Sequence, residues 1–152
     1  FKKMSNLDYT TGDLISPWAD VKMDVHNIPF EENTFDVVIC NHVLEHVTDD
    51  KKVMSEFYRV MKPGGWGIFQ VPIDNSLDVT LEDPNIIDPK DRERLYGQSD
   101  HVRQYGLDYP DRLTASGFKV KADDFINTMQ AELVERYALP KGELIYFCEK
   151  VK

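Results

Sequence analysis

The sequence is short of cysteine, of long apolar runs and of positive charge. Its two cysteines, Cys40 and Cys148, stand far apart in apolar stretches. That excludes a disulfide-stapled secreted scaffold and reads as two buried thiols in a reducing cytoplasm. No stretch approaches the roughly 20 apolar residues that a bilayer-spanning helix requires, and no signal-peptide pattern opens the chain. No membrane association is expected. Lys and Arg number 18 against 27 Asp and Glu, a formal net charge of -9. Such a surface repels phosphate backbones, so nucleic acid is not an expected partner. The nearest thing to a basic patch, Lys90 to Arg94, alternates with Asp91 and Glu93 and reads as a solvated helix face.

What is present suits one domain with one core: 152 residues, 41% hydrophobic and 30% charged. β-prone and helical segments alternate. Leu7 to Asp13 and Ala19 to Val25 are short strand candidates. Phe35 to Cys40 carries an uninterrupted apolar run, Val37-Val38-Ile39-Cys40, as expected of a strand buried on both faces. A helix follows, opened by Thr48, Asp49 or Asp50 and stopped by Lys62-Pro63-Gly64-Gly65, with Val53, Phe57 and Val60 or Met61 on one face. Trp66 to Val71 is the next strand, and Asp74 to Glu82 reads as a loop. Short helices are expected from Asp88-Pro89 to Gly97 and from Tyr109-Pro110 to Ser116. Phe118 to Phe125 is a strand, Gln130 to Tyr137 a helix and Leu144 to Cys148 a final strand. This order predicts an α/β layered domain. Ligands of such sheets sit beyond the carboxyl ends of the strands, which draws attention to Asp13, Asp24, Asn41, His42, Pro72 and Asp74.

His42-Val-Leu-Glu45-His46 fits H-x-x-E-H, a pattern that in some enzymes holds zinc for hydrolysis. That use needs both histidines on one face of a regular helix and a third ligand downstream. The strand ending at Cys40 leaves His42 at a strand exit instead, and no third ligand is identifiable, so no metal is expected. Glu45 is expected to face solvent or orient a neighbour, and His46 to pack near the following helix. Trp18 and Trp66 are expected in the core.

The stretches "DVHNIPFEENTFDVVICNHVLEHV", "EFYRVMKPGGWGIFQVP" and "LTASGFKV" resemble a class I S-adenosylmethionine-dependent methyltransferase. The likeness runs from Asp13 to the end. It implies a Rossmann-like α/β sheet with helices on both faces and S-adenosylmethionine as cofactor. It further implies that Asp13 takes the ribose hydroxyls, that Asp24 and Val25 sit by the adenine, and that Asn41 and His42 border the methionine end. The alternative for both acids is a turn or cap. The family's first strand and glycine-rich loop are missing; Gly64, Gly65 and Gly67 lead into a strand and do not follow one. With a start at Phe1, the resemblance implies a single domain truncated of its N-terminal strand and helix. Either the second strand of the family pattern then pairs directly with the fourth, or another chain fills the gap, which would encourage a homodimer. Such a fragment is expected to bind cofactor weakly.

Asp100-His101-Val-Arg103-Gln-Tyr105-Gly106 follows the fifth strand of the family pattern, where relatives build the substrate pocket. His101 or His42 could serve as a base, and Arg103 and Tyr105 could hold the substrate; the alternative is a hydrogen-bonded loop anchor. The expected activity is in-line methyl transfer to a small molecule. Two other readings stay open: a methyltransferase-like domain that binds without turnover, and a zinc hydrolase using the H-x-x-E-H pattern.

Overall fold

The structure is a computed structural model and describes residues 4–140 and 142–151, so Phe1 lies outside the described residues. Along the chain run β1 (Gly12–Asp13), β2 (Val21–Lys22), β3 (Phe35–Asn41), α1 (Asp50–Val60), β4 (Met61–Gln70) and β5 (Leu81–Glu82). Then come α2 (Pro89–Tyr96), β6 (Arg103–Gln104), α3 (Tyr109–Ala115), β7 (Lys119–Asp123), a 3-10 turn (Phe125–Thr128), α4 (Ala131–Arg136) and β8 (Ile145–Glu149).

The main sheet has the order β3-β4-β8-β7. β3 and β4 are parallel, from Val37 beside Trp66 to Asn41 beside Gln70, while β8 runs antiparallel to both β4 and β7. The expected stop after α1 is a bulge within β4. Gly64 takes φ 80°, and a Cβ on Gly65 would lie 2.8 Å from the Asp36 carbonyl oxygen, so both positions require glycine.

α1 starts where the sequence places it. The Asp49 carboxylate accepts from the Lys52 N–H at 2.9 Å, and Asp50 suits the helix dipole in the first turn. Its buried stripe is Val53, Met54, Phe57 and Val60. Phe57 stacks on Phe69 of β4, and the Tyr109 hydroxyl of α3 donates to the Phe69 carbonyl. α1 and α3 therefore cover one face of the sheet, with Cys40, Phe69, Tyr146 and Cys148 sealed beneath them. Each large apolar side chain buried there contributes about 1.5–3 kcal/mol. The opposite face is partly open: Val37 is 37% and Ile39 48% exposed, and Trp66 stacks on Phe147 only half-buried. The expected second layer of helices does not seal β3 among the described residues.

The first two strands are much shorter than the sequence suggests, because side chains take over the backbone donors. Asp13 binds the N–H groups of Ile15 and Ser16, ending β1, and Asp24 binds that of His26 just beyond β2. β1 and β2 pair in parallel with each other. Neither pairs with β3, so direct pairing of the strand at Asp13 with β3 does not occur, and β3 is an edge strand of its sheet. Trp18, expected in the core, is 88% exposed on the link between β1 and β2. The end of the expected loop before α2 forms β5, which pairs antiparallel with β6.

Candidate cofactor site

Because β1 and β2 are parallel, the chain leaves both at the same end, with Asp13 closing β1 and Asp24 following β2. Asp13 Oδ1 accepts from Ser16 N at 2.7 Å and Ile15 N at 2.8 Å, which holds its carboxyl below the usual range. Asp24 Oδ1 accepts from His26 N at 2.9 Å and His26 Nδ1 at 2.7 Å, and these two bonds lower its pKa likewise. With Nδ1 donating, His26 Nε2 is an acceptor, and it lies 3.3 Å from the Asp49 N–H and 3.4 Å from Thr48 Oγ1 at the start of α1. His26 thus joins the loop after β2 to the loop after β3.

That loop begins with Asn41, exposed at the end of β3, and His42, whose φ is 55°. The His42 N–H donates to the Gln70 carbonyl at 2.8 Å, fixing this left-handed turn, while its side chain stays 60% exposed. Val25 is half-buried and packs on the core. The five residues assigned to the cofactor therefore stand at the carboxyl ends of three strands.

The residues fit a nucleoside in one specific respect. Each acid anchors its own turn through Oδ1, and neither Oδ2 takes part in those bonds. Both acids are exposed. A carboxylate so held can still accept from a ribose diol or an adenine amino group. Two surface concavities, one lined by Lys51, Ser55, Asp111 and Arg112 and one by Ile126, Met129, Val134 and Leu139, involve none of these residues.

The expected substrate residues are placed differently. Arg103 is 3% exposed and donates to the carbonyls of Leu44 and Val47 at 2.6 Å and of Thr48 at 3.2 Å, and to Glu82 at 3.0 Å. Tyr105 is fully buried, and its hydroxyl donates to Asp50 at 2.8 Å. Burial, then the neighbouring Asp50, pushes the Tyr105 pKa far up, so the hydroxyl stays a donor. Burial would also raise Asp50, but the two-pronged Arg112 bond, the Arg103 charge and Tyr105 outweigh it and lower its pKa. Arg103 and Tyr105 thus anchor the β3–α1 loop, with Arg103 Nε bonded to Glu82 of β5 and the Tyr105 hydroxyl to Asp50 of α1. His101 is 4% exposed and bonded through Nδ1 to the Tyr96 carbonyl, whereas the His42 side chain is 60% exposed.

Residues 6–69 match the family model of the methyltransferase domain. The match covers less than half of the chain and shows a likeness to that domain over this stretch. The matched stretch includes all five rim residues, Asp13, Asp24, Val25, Asn41 and His42. The ubiquinone/menaquinone biosynthesis C-methyltransferase UbiE of Desulfotalea psychrophila is 39% identical over 66 residues, 43% of this chain and 24% of the relative. The sterol 24-C-methyltransferase erg6 of Schizosaccharomyces pombe is 35% identical over 77 residues, 50% of this chain and 18% of the relative. The matched stretch thus spans a quarter or less of these curated relatives. In fold, the chain is similar to a candidate methyltransferase from Bacillus halodurans, with TM-score 0.54 and 20% identity over 87% of this chain and 71% of that one.

Two features of the site were missed in the sequence. His26 bridges the loops, and its signal was its place two residues after Asp24. Glu45, expected to face solvent or orient a neighbour, is 2% exposed with Oε1 3.2 Å from His42 Nδ1; its burial was not foreseen, because the segment around Arg103 closes over its loop and the Val102 N–H donates to the Glu45 carbonyl at 2.9 Å.

Proposed function

We propose that the chain forms the cofactor-facing rim of a cytoplasmic enzyme that methylates a small-molecule acceptor. The observation that carries this reading is the place of Asp13, Asp24 and Asn41 at the carboxyl ends of three strands, with His26 joining two of the loops. Bound S-adenosylmethionine supplies an electrophilic methyl group on a sulfonium, with a neutral thioether as leaving group. Asp13 and Asp24 would accept hydrogen bonds from the nucleoside through Oδ2, and Val25 would flank the base. Asn41 and His42 would stand where the acceptor approaches. Because the leaving group needs no proton, the chain's task is alignment and exclusion of water. If the acceptor atom carries a proton, the exposed His42 ring would take it. The names of the two curated relatives point to a carbon atom of an apolar small molecule as acceptor.

The H-x-x-E-H hydrolase has no support in the backbone. Residues 42–46 form a turn and not a helix, so His42 and His46 do not share a helical face. The exposed Val37 and Ile39 leave one face of β3 open to solvent, which on this reading weakens cofactor binding.

The test is methylation by the protein with labelled cofactor and a panel of quinol and sterol acceptors. The reading expects label in a small molecule and a rate about 100-fold lower in His42→Asn when the acceptor needs deprotonation. Cofactor binding without transfer to any acceptor would favour the non-catalytic alternative.

A further inference from the structure

One group of side chains beside the rim is not used in the proposed methyl transfer, apart from the contact of Glu45 with His42. The Glu45 carboxylate is buried, and its two oxygens are treated unequally. Oε1 lies 3.2 Å from His42 Nδ1, whereas Oε2 has no hydrogen-bond partner among the described residues. A buried carboxylate oxygen without a donor is costly and calls for a compensating cation. Two imidazoles stand close to that carboxylate. The rings of His46 and His101 stand edge to face with centroids 4.7 Å apart. One ligand atom from each of Glu45, His46 and His101 lies within 4.8 Å of the others.

The outer contacts follow the pattern of metal-binding histidines. His101 Nδ1 is held by the Tyr96 carbonyl at 3.0 Å, and His46 Nδ1 lies 3.3 Å from Asp100 Oδ2. Each ring is thereby oriented through one nitrogen, leaving Nε2 for a ligand, as second-shell partners do around metal ions. His46 is 34% exposed at its side chain and gives an ion a way in, while Glu45 and His101 form the buried floor.

We propose that Glu45, His46 and His101 form a binding site for one divalent transition-metal ion of the zinc class. Two imidazoles and one carboxylate suit such an ion and not magnesium or calcium, which prefer all-oxygen shells. Bond lengths of about 2.0–2.2 Å would require the three donors to close up from their present separation, a movement the partly exposed His46 can supply. The ion would tie the loop after β3 to the segment before β6 and leave a coordination position for water. The pattern seen in the sequence is therefore used differently: Glu45 and His46 contribute, His42 stays outside, and the third ligand is His101. The site does not depend on the methyl-transfer reading.

The test is titration of chelator-treated 152-residue protein with Zn2+, read by competition with a chromophoric chelator, and with Co2+, read by its visible d–d bands. One equivalent should bind. Affinity should fall at least about tenfold in His46→Ala and Glu45→Gln, by loss of one ligand, and remain unchanged in the control Glu149→Gln, an exposed carboxylate paired with Lys119 on β7. Circular dichroism checks each fold; if Glu45→Gln does not fold, the partly exposed His46→Ala decides. Absence of saturable binding, or equal binding by wild type and His46→Ala, would overturn the proposal and leave Oε2 to a trapped water or a proton.

Discussion

Replacing Arg103 by Met separates an anchor from a ligand for substrate. The guanidinium lies at 3% exposure and serves three loop carbonyls and Glu82, with Asp50 3.9 Å away. Met fills much of the volume but leaves the Leu44, Val47 and Thr48 carbonyls without this donor and removes a positive charge from beside two carboxylates. Single hydrogen bonds to charged groups are worth about 1.5–3 kcal/mol and do not add. Removing one partner of a buried ion pair costs about 3–5 kcal/mol. We expect a loss of about 4 kcal/mol, the middle of that range, because Arg112 retains part of the network. For a domain of this size that lowers Tm by about 8–16 °C. Arg103→Lys should recover less than half, since an ammonium cannot reach three carbonyls as the planar fork does. Urea denaturation with an unchanged slope is the assay. A loss below about 1 kcal/mol, accompanied by a raised KM for the acceptor, would refute the reasoning and return Arg103 to the substrate.

The Arg59 bond lowers the Glu56 pKa from 4.5 to about 2, against the opposing effect of burial. A depressed carboxyl stabilises above its unfolded value and loses that contribution as pH falls from 4.5 toward 2; the full shift corresponds to about 3 kcal/mol, and screening at the partly exposed Arg59 reduces it to about 1–2 kcal/mol. Glu56→Gln should flatten the acid limb of a stability–pH profile across that window, and an unchanged limb would contradict the pairing. Burial pushes the Cys40 thiol, with Glu45 adding to it, and the Cys148 thiol up to about 12. Neither should react with a disulfide reagent at pH 8 until denaturant is added, whereas a fast native phase would refute their burial. Asp24→Ala should weaken cofactor binding about tenfold, the worth of one charge-assisted hydrogen bond, in a calorimetric titration.

Elements with a strong local signal were legible in the sequence. The apolar run at Val37 to Cys40 is β3, and the Asp49 cap and the Val53, Phe57, Val60 stripe give α1. Gly97 and Gly117, at φ 85° and 103°, stand just beyond α2 and α3 where the sequence ends those helices. What the sequence hid is long-range. Whether Tyr9 and Thr10 belong to a strand depended on Asp13 and Asp20 taking the backbone donors around them, which no periodicity reveals. Arg103 looks like a free anion binder in a polar segment. Its donors are consumed by carbonyls more than fifty positions earlier, a pairing fixed only when β6 docks against the loop after β3. The rim acids were visible through their place after strand candidates, but their anchoring through a single oxygen each was not.

The most direct test of the central claim is an amide chemical-shift titration of the 152-residue chain with S-adenosylmethionine, which detects weak binding. The account predicts shifts grouped at residues 13–16, 24–27 and 41–43, with the groove of Lys51, Asp111 and Arg112 unmoved. No shifts at millimolar cofactor, or shifts confined to that groove, would contradict it.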